Sequence, residues 1–171
     1  TKEGTNHFYH LKIAGVPKGP IRKPAEYSII KNLNFTDFTM TLKAKCLSPV
    51  DTPRRDIILV FGYQDDTHFY YVHLSNYHNS VHNSILIVNG SDRKPIFTGK
   101  SIPKLKDQKY HKIRLRRHPE SGLIEVYVDD LDFPNMTAVD KTFQWGRIGI
   151  GSFDNVAGFD DIKIVGKLKE K

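Results

Sequence analysis

Asp56-Ile-Ile-Leu-Val-Phe-Gly-Tyr-Gln-Asp-Asp-Thr-His-Phe-Tyr-Tyr-Val-His-Leu74 is the stretch on which the reading of this sequence turns. Ile57 to Tyr63 and His68 to Leu74 are short runs of β-branched and aromatic residues, and Gln64-Asp-Asp-Thr67 between them is a polar cluster of turn formers. Two such runs with a turn between them predict a pair of strands. Alternation assigns their faces, because successive side chains of a strand point to opposite sides. With Leu59, Phe61 and Tyr63 inward, Val60, Gly62 and Gln64 point outward. With Tyr70, Val72 and Leu74 inward, Phe69, Tyr71 and His73 point outward.

Working outward, the same period of two recurs. Phe38-Thr-Met-Thr-Leu-Lys-Ala-Lys45 places an apolar residue at every second position, with Thr and Lys between. His111 to Arg116 and Ile124 to Asp129 repeat the pattern on either side of His118-Pro-Glu-Ser-Gly122, a hairpin turn. Further strands are predicted at residues 84–89, 147–153 and 159–165. No stretch of a dozen residues carries an apolar stripe at helical spacing, and only a short turn near Pro134 to Val139 has any helical character. Strands at intervals of about a dozen residues, with turn signals between them, predict an all-β sandwich or jelly roll. Residues 1–25, rich in Gly and Pro, read as an irregular lead-in that packs Phe8, Tyr9 and Leu11 onto the body. The body spans 26–166, and 167–171 is a charged tail.

With 171 residues the chain is long enough for one domain with its own core. Its one cysteine, Cys46, rules out an internal disulfide. No apolar run approaches the roughly 18 residues of a membrane helix, so no membrane insertion is expected. The net charge of +7 leaves several anionic partners open.

The quoted stretch resembles the paired central strands of concanavalin A-like (laminin G-like) jelly rolls. Trp145-Gly-Arg-Ile-Gly-Ile-Gly-Ser-Phe153 followed by Gly158-Phe-Asp-Asp-Ile-Lys-Ile164 is similar to the last two strands of that fold, and Lys109-Tyr-His-Lys-Ile-Arg-Leu115 with Leu123 to Asp130 matches its middle hairpin. The resemblance covers residues 26 to 165. It implies a two-sheet antiparallel sandwich, a secreted, periplasmic or cell-surface protein, and an oligo- or polysaccharide partner lying on the concave sheet. The segment His78-Asn-Ser-Val-His-Asn-Ser-Ile-Leu-Ile-Val-Asn-Gly-Ser-Asp-Arg93 is similar to one in bacterial members associated with polysaccharide breakdown.

On this fold, Arg147, Gly149 and Gly151 join Gly62 on the outward face, and the small residues leave a floor beside Gln64, Tyr71, His73 and Arg147. Aromatic rings cover the apolar faces of sugars while amide, imidazole and guanidinium groups meet hydroxyls and carboxylates. Those four residues, with His82, Asn89 and Arg93 from loops, form the expected ligand-binding set. The competing account of the glycines is that each marks a bulge or a close backbone approach.

The rival function is a polysaccharide-degrading enzyme, a glycoside hydrolase or a lyase, with His73, His82 and Arg93 as catalytic candidates. A lyase needs a group that neutralises a uronate and a base of suitable pKa. A hydrolase needs two carboxylates at a set separation. The Glu-x-Asp-x-x-Glu signature of laminarinase-type jelly rolls is absent, and so are the Gln-Ile-His and Tyr-Phe-Lys signatures of alginate-lyase jelly rolls. Zinc chemistry lacks its His-Glu-x-x-His or Cys-pair spacing, and no cofactor is required. The resemblance does imply a structural calcium between Glu26 and Asp161, whose hard oxygens suit that ion.

Lys43, Lys45, Lys112, Arg114, Arg116 and Lys163 fall on outward strand positions, so alternation alone explains much of the basic excess. The loop cations Lys18, Arg22, Lys23, Arg54, Arg55, Arg93 and Lys94 remain for an acidic glycan. Basic residues interleaved with exposed aromatics on one groove are missing, so nucleic acid is not expected as a partner.

Overall fold

The computed structural model describes residues 1–102 and 104–170. Among the described residues fourteen strands follow one another: β1 (Lys2–Glu3), β2 (Asn6–His7), β3 (Tyr9–Leu11), β4 (Glu26–Ile29), β5 (Phe35–Cys46), β6 (Asp56–Asp65), β7 (His68–Ser75), β8 (Ser84–Asn89), β9 (Lys94–Pro95), β10 (His111–His118), β11 (Leu123–Val128), β12 (Met136–Val139), β13 (Arg147–Ser152) and β14 (Ala157–Leu168). A six-stranded front sheet has the order β4-β13-β6-β7-β8-β9, and a six-stranded back sheet has the order β12-β11-β10-β5-β14-β3. Pairing within both is antiparallel, while β1 and β2 form a small separate hairpin. This is the two-sheet antiparallel jelly roll that the periodicity predicts. Among the described residues no helix is long and apolar enough to cross a membrane.

The core lies between the sheets and is built by the predicted alternation. Phe38, Met40, Leu42 and Ala44 of β5, Ile113 and Leu115 of β10, and Phe159 of β14 face Leu59 and Phe61 of β6, Tyr70, Val72 and Leu74 of β7, and Ile148 of β13. Each of these side chains contributes about 1.5–3 kcal/mol by leaving water. The aromatic members interlock, with Phe61 stacked on Tyr70 at 5.1 Å and edge-on to Phe38 at 6.3 Å.

Three boundaries differ from expectation. The lead-in is not wholly irregular, because Tyr9, His10 and Leu11 extend the back sheet beside Phe159, Gly158 and Ala157. The charged tail begins inside β14, and Lys169 N still donates to Asn34 O at 2.8 Å. Residues 136–139 form a strand and not a helical turn, because Met136 and Ala138 alternate into the core beside β11.

The larger departure concerns the outer face of the front sheet, which is dry. Ile58, Val60, Phe69, Tyr71, Leu86 and Val88 form a second buried cluster, roofed by Ile21, Tyr27, Ile29, Tyr63 and Val81. At about 1.5–3 kcal/mol per side chain, this layer is worth on the order of 10 kcal/mol, comparable with the net stability of a whole domain. The pairing of β13 with β4 explains the glycines of β13. A Cβ on Gly151 would lie 2.2 Å from Glu26 O and 2.6 Å from Tyr27 Cβ, and one on Gly149 would lie 2.4 Å from Ser28 O. The close approach of β4 requires both positions to be bare.

Gly151→Ala therefore forces β4 away from β13 and is expected to destabilise the domain by about 2 kcal/mol, a fall in Tm of about 4–8 °C at this chain length. Thermal unfolding followed by circular dichroism measures it, and a variant within 1 °C of the parent, a shift that is about the size of experimental error, would refute the close-approach account.

Candidate functional site

One end of the dry face holds a polar constellation, built where β6 begins, β7 ends and β13 runs out. Asp56, on the first turn of β6, is buried with 1% of its surface exposed. Its Oδ1 accepts hydrogen bonds from Ser152 Oγ at 2.8 Å and Phe153 N at 2.7 Å, and its Oδ2 accepts one from Asn155 Nδ2 at 3.0 Å. His73 Nε2 stands 3.6 Å from the same Oδ2. Burial alone would push the Asp56 carboxyl up; the His73 ring, the Phe153 amide and the Ser152 hydroxyl outweigh it and hold the group below the usual carboxylate range. Asp154, next to it but exposed, moves the other way, raised by desolvation and by the Asp56 charge.

His73 Nδ1 lies 2.7 Å from Val81 O, an acceptor, so Nδ1 carries the proton and Nε2 is the nitrogen turned to Asp56. The ring stacks on Phe153 at 5.6 Å and lies 4.8 Å from the ring of His82. The loop of residues 76–83 that carries His82 is shaped by two asparagines. Asn79 Oδ1 accepts from Val81 N at 2.9 Å, His82 N at 2.8 Å and His82 Nδ1 at 2.8 Å, an Asx-type turn. Asn83, at φ +50°, takes the left-handed conformation that asparagine tolerates, and its amide bridges Ser75 O at 2.9 Å and Tyr77 O at 2.6 Å. With Nδ1 donating, His82 keeps Nε2 as an acceptor. Burial, the neighbouring His73 and Arg93 depress its pKa to about 4.

Beside His82 opens a hollow of about 440 Å³ lined by Pro53, Arg54, Asn76, Tyr77 and Asn79. Tyr77 is 53% exposed and meets His82 edge-on at 6.1 Å. Asn76 anchors the wall, its main-chain N donating to Arg55 O at 3.2 Å and its Nδ2 to Thr52 O at 3.3 Å. A larger hollow of about 630 Å³, at the β10–β11 hairpin, is lined by groups such as Asp37, His118, Glu120 and Lys167 and has no Tyr, Trp or Phe ring among its walls.

The expected ligand-binding residues divide between the two ends of the sheet. His73, His82 and Arg93 come together with Tyr71, whose hydroxyl accepts from Arg93 Nη1 at 3.3 Å. Gln64, Asn89 and Arg147 do not join them. Asn89 pairs with His68 at the opposite end of β7, Gln64 Nε2 donates to Trp145 O, and the Arg147 guanidinium lies 4.8 Å from the Tyr63 ring. Five residues of strand separate His68 from His73, about 17 Å. The open floor is a correction as well. Tyr71 and His73 point outward as alternation predicts, yet they are 0% and 1% exposed beneath the roof. Gly62 sits at a bulge with φ +58°, where a Cβ would meet the Tyr70 ring at 3.0 Å.

Two cations also change role. Arg55 is fully buried, donating to Leu105 O at 2.9 Å and Cys46 O at 2.8 Å. Lys45 is covered, its ammonium 4.4 Å from the Tyr110 ring and 5.4 Å from that of Phe8. Glu26 and Asp161 lie in different sheets, and Asp161 forms an ion pair with Lys43 at 2.6 Å. Among the described residues no three His, Cys, Asp or Glu side chains converge as metal ligands.

Tyr77, Asn79 and Phe153 also line this end of the sheet, where periodicity points to none of them. Asp56 left a trace as a carboxylate opening a continuous apolar run, and Arg22 and Arg54 as loop cations suited to an acidic glycan.

Neither a protein-family model nor a curated protein sequence matches the chain. Solved structures do. The carbohydrate-binding module CBM66 from Bacillus subtilis superposes with a TM-score of 0.65 at 17% identity, over 81% of each chain. The exoplasmic/lumenal domain of VIP36, in its Ca²⁺/Man3GlcNAc-bound form, gives 0.57 at 12% identity over 96% of this chain and 85% of that one. Galectin-Ib from Xenopus laevis gives 0.55 at 9% identity over 82% of this chain and all of its own. The fold of the chain is thus the concanavalin A-like jelly roll.

Proposed function

We propose that this chain is a carbohydrate-binding domain that takes an oligo- or polysaccharide at the rim of the front sheet, in the hollow beside His82. The observation that carries the proposal is the lining of that hollow: an exposed tyrosine ring, two carboxamides and a guanidinium on one concave surface. Tyr77 supplies a stacking face for the apolar side of a pyranose or furanose ring. Asn79 uses its oxygen in the turn and retains Nδ2 for a ligand hydroxyl, and Arg54 adds donors in a planar fork. That structures of this fold include a carbohydrate-binding module and a Man3GlcNAc-bound domain supports the proposal. The site lies at the edge of the sheet and not on its middle, because the roof covers the middle.

Binding is favoured over hydrolysis by the state of the carboxylates. Asp56 and Asp154 share Asn155 Nδ2, at 3.0 Å from each, and their pKa values are pushed apart as in an acid–base pair. Yet both oxygens of Asp56 are occupied by internal donors and only 1% of its surface is exposed.

Tyr77→Ala is expected to weaken binding about tenfold, the loss of roughly 1–2 kcal/mol of stacking. Affinity electrophoresis against a panel of neutral, uronic and sulfated polysaccharides measures it, with thermal unfolding as the control for folding. Retention equal to the parent would remove the hollow as the site, and new reducing ends or unsaturated products would replace binding by catalysis. A second expectation follows from His82, which stays neutral in the fold until about pH 4 while its unfolded counterpart protonates near 6.5. The unfolded state therefore binds more protons between those values, and stability falls as pH drops through the window, by at most about 3 kcal/mol. Asp56, held low, loses its contribution only further down, once pH falls below the ordinary carboxylate value. Measured from pH 7 to 4.5, the Tm of the parent is expected to decline more steeply than that of His82→Gln; parallel slopes would show that His82 is not the titrating group.

A further inference from the structure

Arg22 and Arg93 come from distant parts of the chain and are clipped together through the main chain. Arg22 N donates to Asp92 Oδ1 at 2.8 Å, and Arg93 N donates to Arg22 O at 3.1 Å. Both guanidinium groups then fall on one ring, with Cζ 5.1 Å (Arg22) and 4.2 Å (Arg93) from the centroid of Phe153. The ring is held by His73 stacked against it and by Asp56 gripping the Phe153 amide. Two like charges within about 5 Å of one ring repel each other, and the ring quadrupole offsets this only in part.

Some surface cations are paired with a carboxylate. Lys23, one residue away, pairs with Asp66 at 2.8 Å, and Arg116 pairs with Glu125 at 3.3 Å. Among the described residues, neither Arg22 nor Arg93 has a carboxylate within ion-pair distance. Of the acids around them, Asp92 accepts the Arg22 amide, Asp154 feels the Arg22 charge without forming an ion pair with it, and Asp56 is enclosed. Arg93 gives one N–H to Tyr71 Oη and keeps the rest of its five donors. Arg22 is exposed.

We propose that Arg22 and Arg93 form a clasp for an anionic substituent of the bound saccharide, the carboxylate of a uronic acid or a sulfate ester. Planar guanidinium forks match either group with paired hydrogen bonds, and the fixed ring beneath them keeps both forks in place before the anion arrives. The clasp rests on the carbohydrate reading of the hollow, and His82 joins the two, since the charges of Arg93 and Arg54 both act on it. A chain entering the hollow at Tyr77 would place an acidic unit over Phe153.

The test compares three oligosaccharides of equal length with the whole chain by isothermal titration: a polyuronate, its carboxyl-reduced neutral counterpart, and a sulfated neutral glycan. The parent is expected to bind one acidic form about tenfold tighter than the neutral form, with the preference shrinking as salt rises. Tighter binding of the polyuronate identifies a carboxylate, and tighter binding of the sulfated glycan a sulfate. Arg22→Gln, at an exposed position, and Arg93→Gln, beneath it, are each expected to erase most of the preference, and Arg93→Lys to restore little of it. Equal affinity for all three glycans overturns the clasp and leaves the carbohydrate reading standing. Side-chain NMR of the Arg22 and Arg93 Nε–Hε groups, titrated with free glucuronate and inorganic sulfate, separates the remaining case. Shifts at both arginines without binding of any oligosaccharide uphold the anion clasp and overturn the carbohydrate reading, while silent arginines overturn the clasp.

Discussion

The buried carboxylate of Asp56 is the constraint on which the functional end of this molecule depends. A charge removed from water is tolerated only when it is well hydrogen-bonded, and here the donors are a hydroxyl, a main-chain amide and a carboxamide, with the His73 imidazole 3.6 Å away. Those donors lie nearly one hundred residues further along the chain or on the neighbouring strand. Satisfying the carboxylate therefore closes the end of β13 onto the start of β6 and sets the height of Phe153. From Phe153 follow the stacking of His73 and the seats of Arg22 and Arg93.

The second consequence of the packing is that the front sheet is covered on both faces. In a two-layer sandwich one side of each sheet is normally wet, and the Lys and Arg rows of the back sheet obey that rule, with Lys112 and Lys163 exposed. The front sheet instead carries Ile58, Val60, Phe69 and Leu86 outward, which no solvent-facing surface would support, and the chain before β5 folds over to shield them. The hydrophobic effect thus moves recognition from the middle of the sheet to its rim, where the 53–54 and 76–79 turns meet.

The charge of the protein is sorted by the same packing. Arg55 and Arg117 are interior struts that donate to carbonyls, and Lys45 lies between two aromatic rings. Lys23, Lys43 and Arg116 have carboxylate partners. Among the described residues at the functional end, Arg22, Arg54 and Arg93 remain without an ion pair. A net charge of +7 says little about a partner, whereas three neighbouring guanidinium groups on one rim say a good deal.

Strands and faces were legible in the amino-acid sequence because the side-chain period of a strand is a local property: Leu59, Phe61, Tyr70 and Val72 face the core where alternation places them. The same logic turned Tyr71 and His73 outward, correctly. Whether outward meant wet was not legible, since it depends on Ile21 and Val81, which reach the face from loops, and on Tyr27 of the edge strand β4. The companionship of His73, His82 and Arg93 was readable as a cluster of suitable residue types, while the exclusion of Gln64, Asn89 and Arg147 was not, because strand direction carries them to the far end. Fold class was settled by the local alternation of polar and apolar residues. The place where a ligand can reach the protein was decided by tertiary structure, through the desolvation of one carboxylate and the roofing of one apolar face.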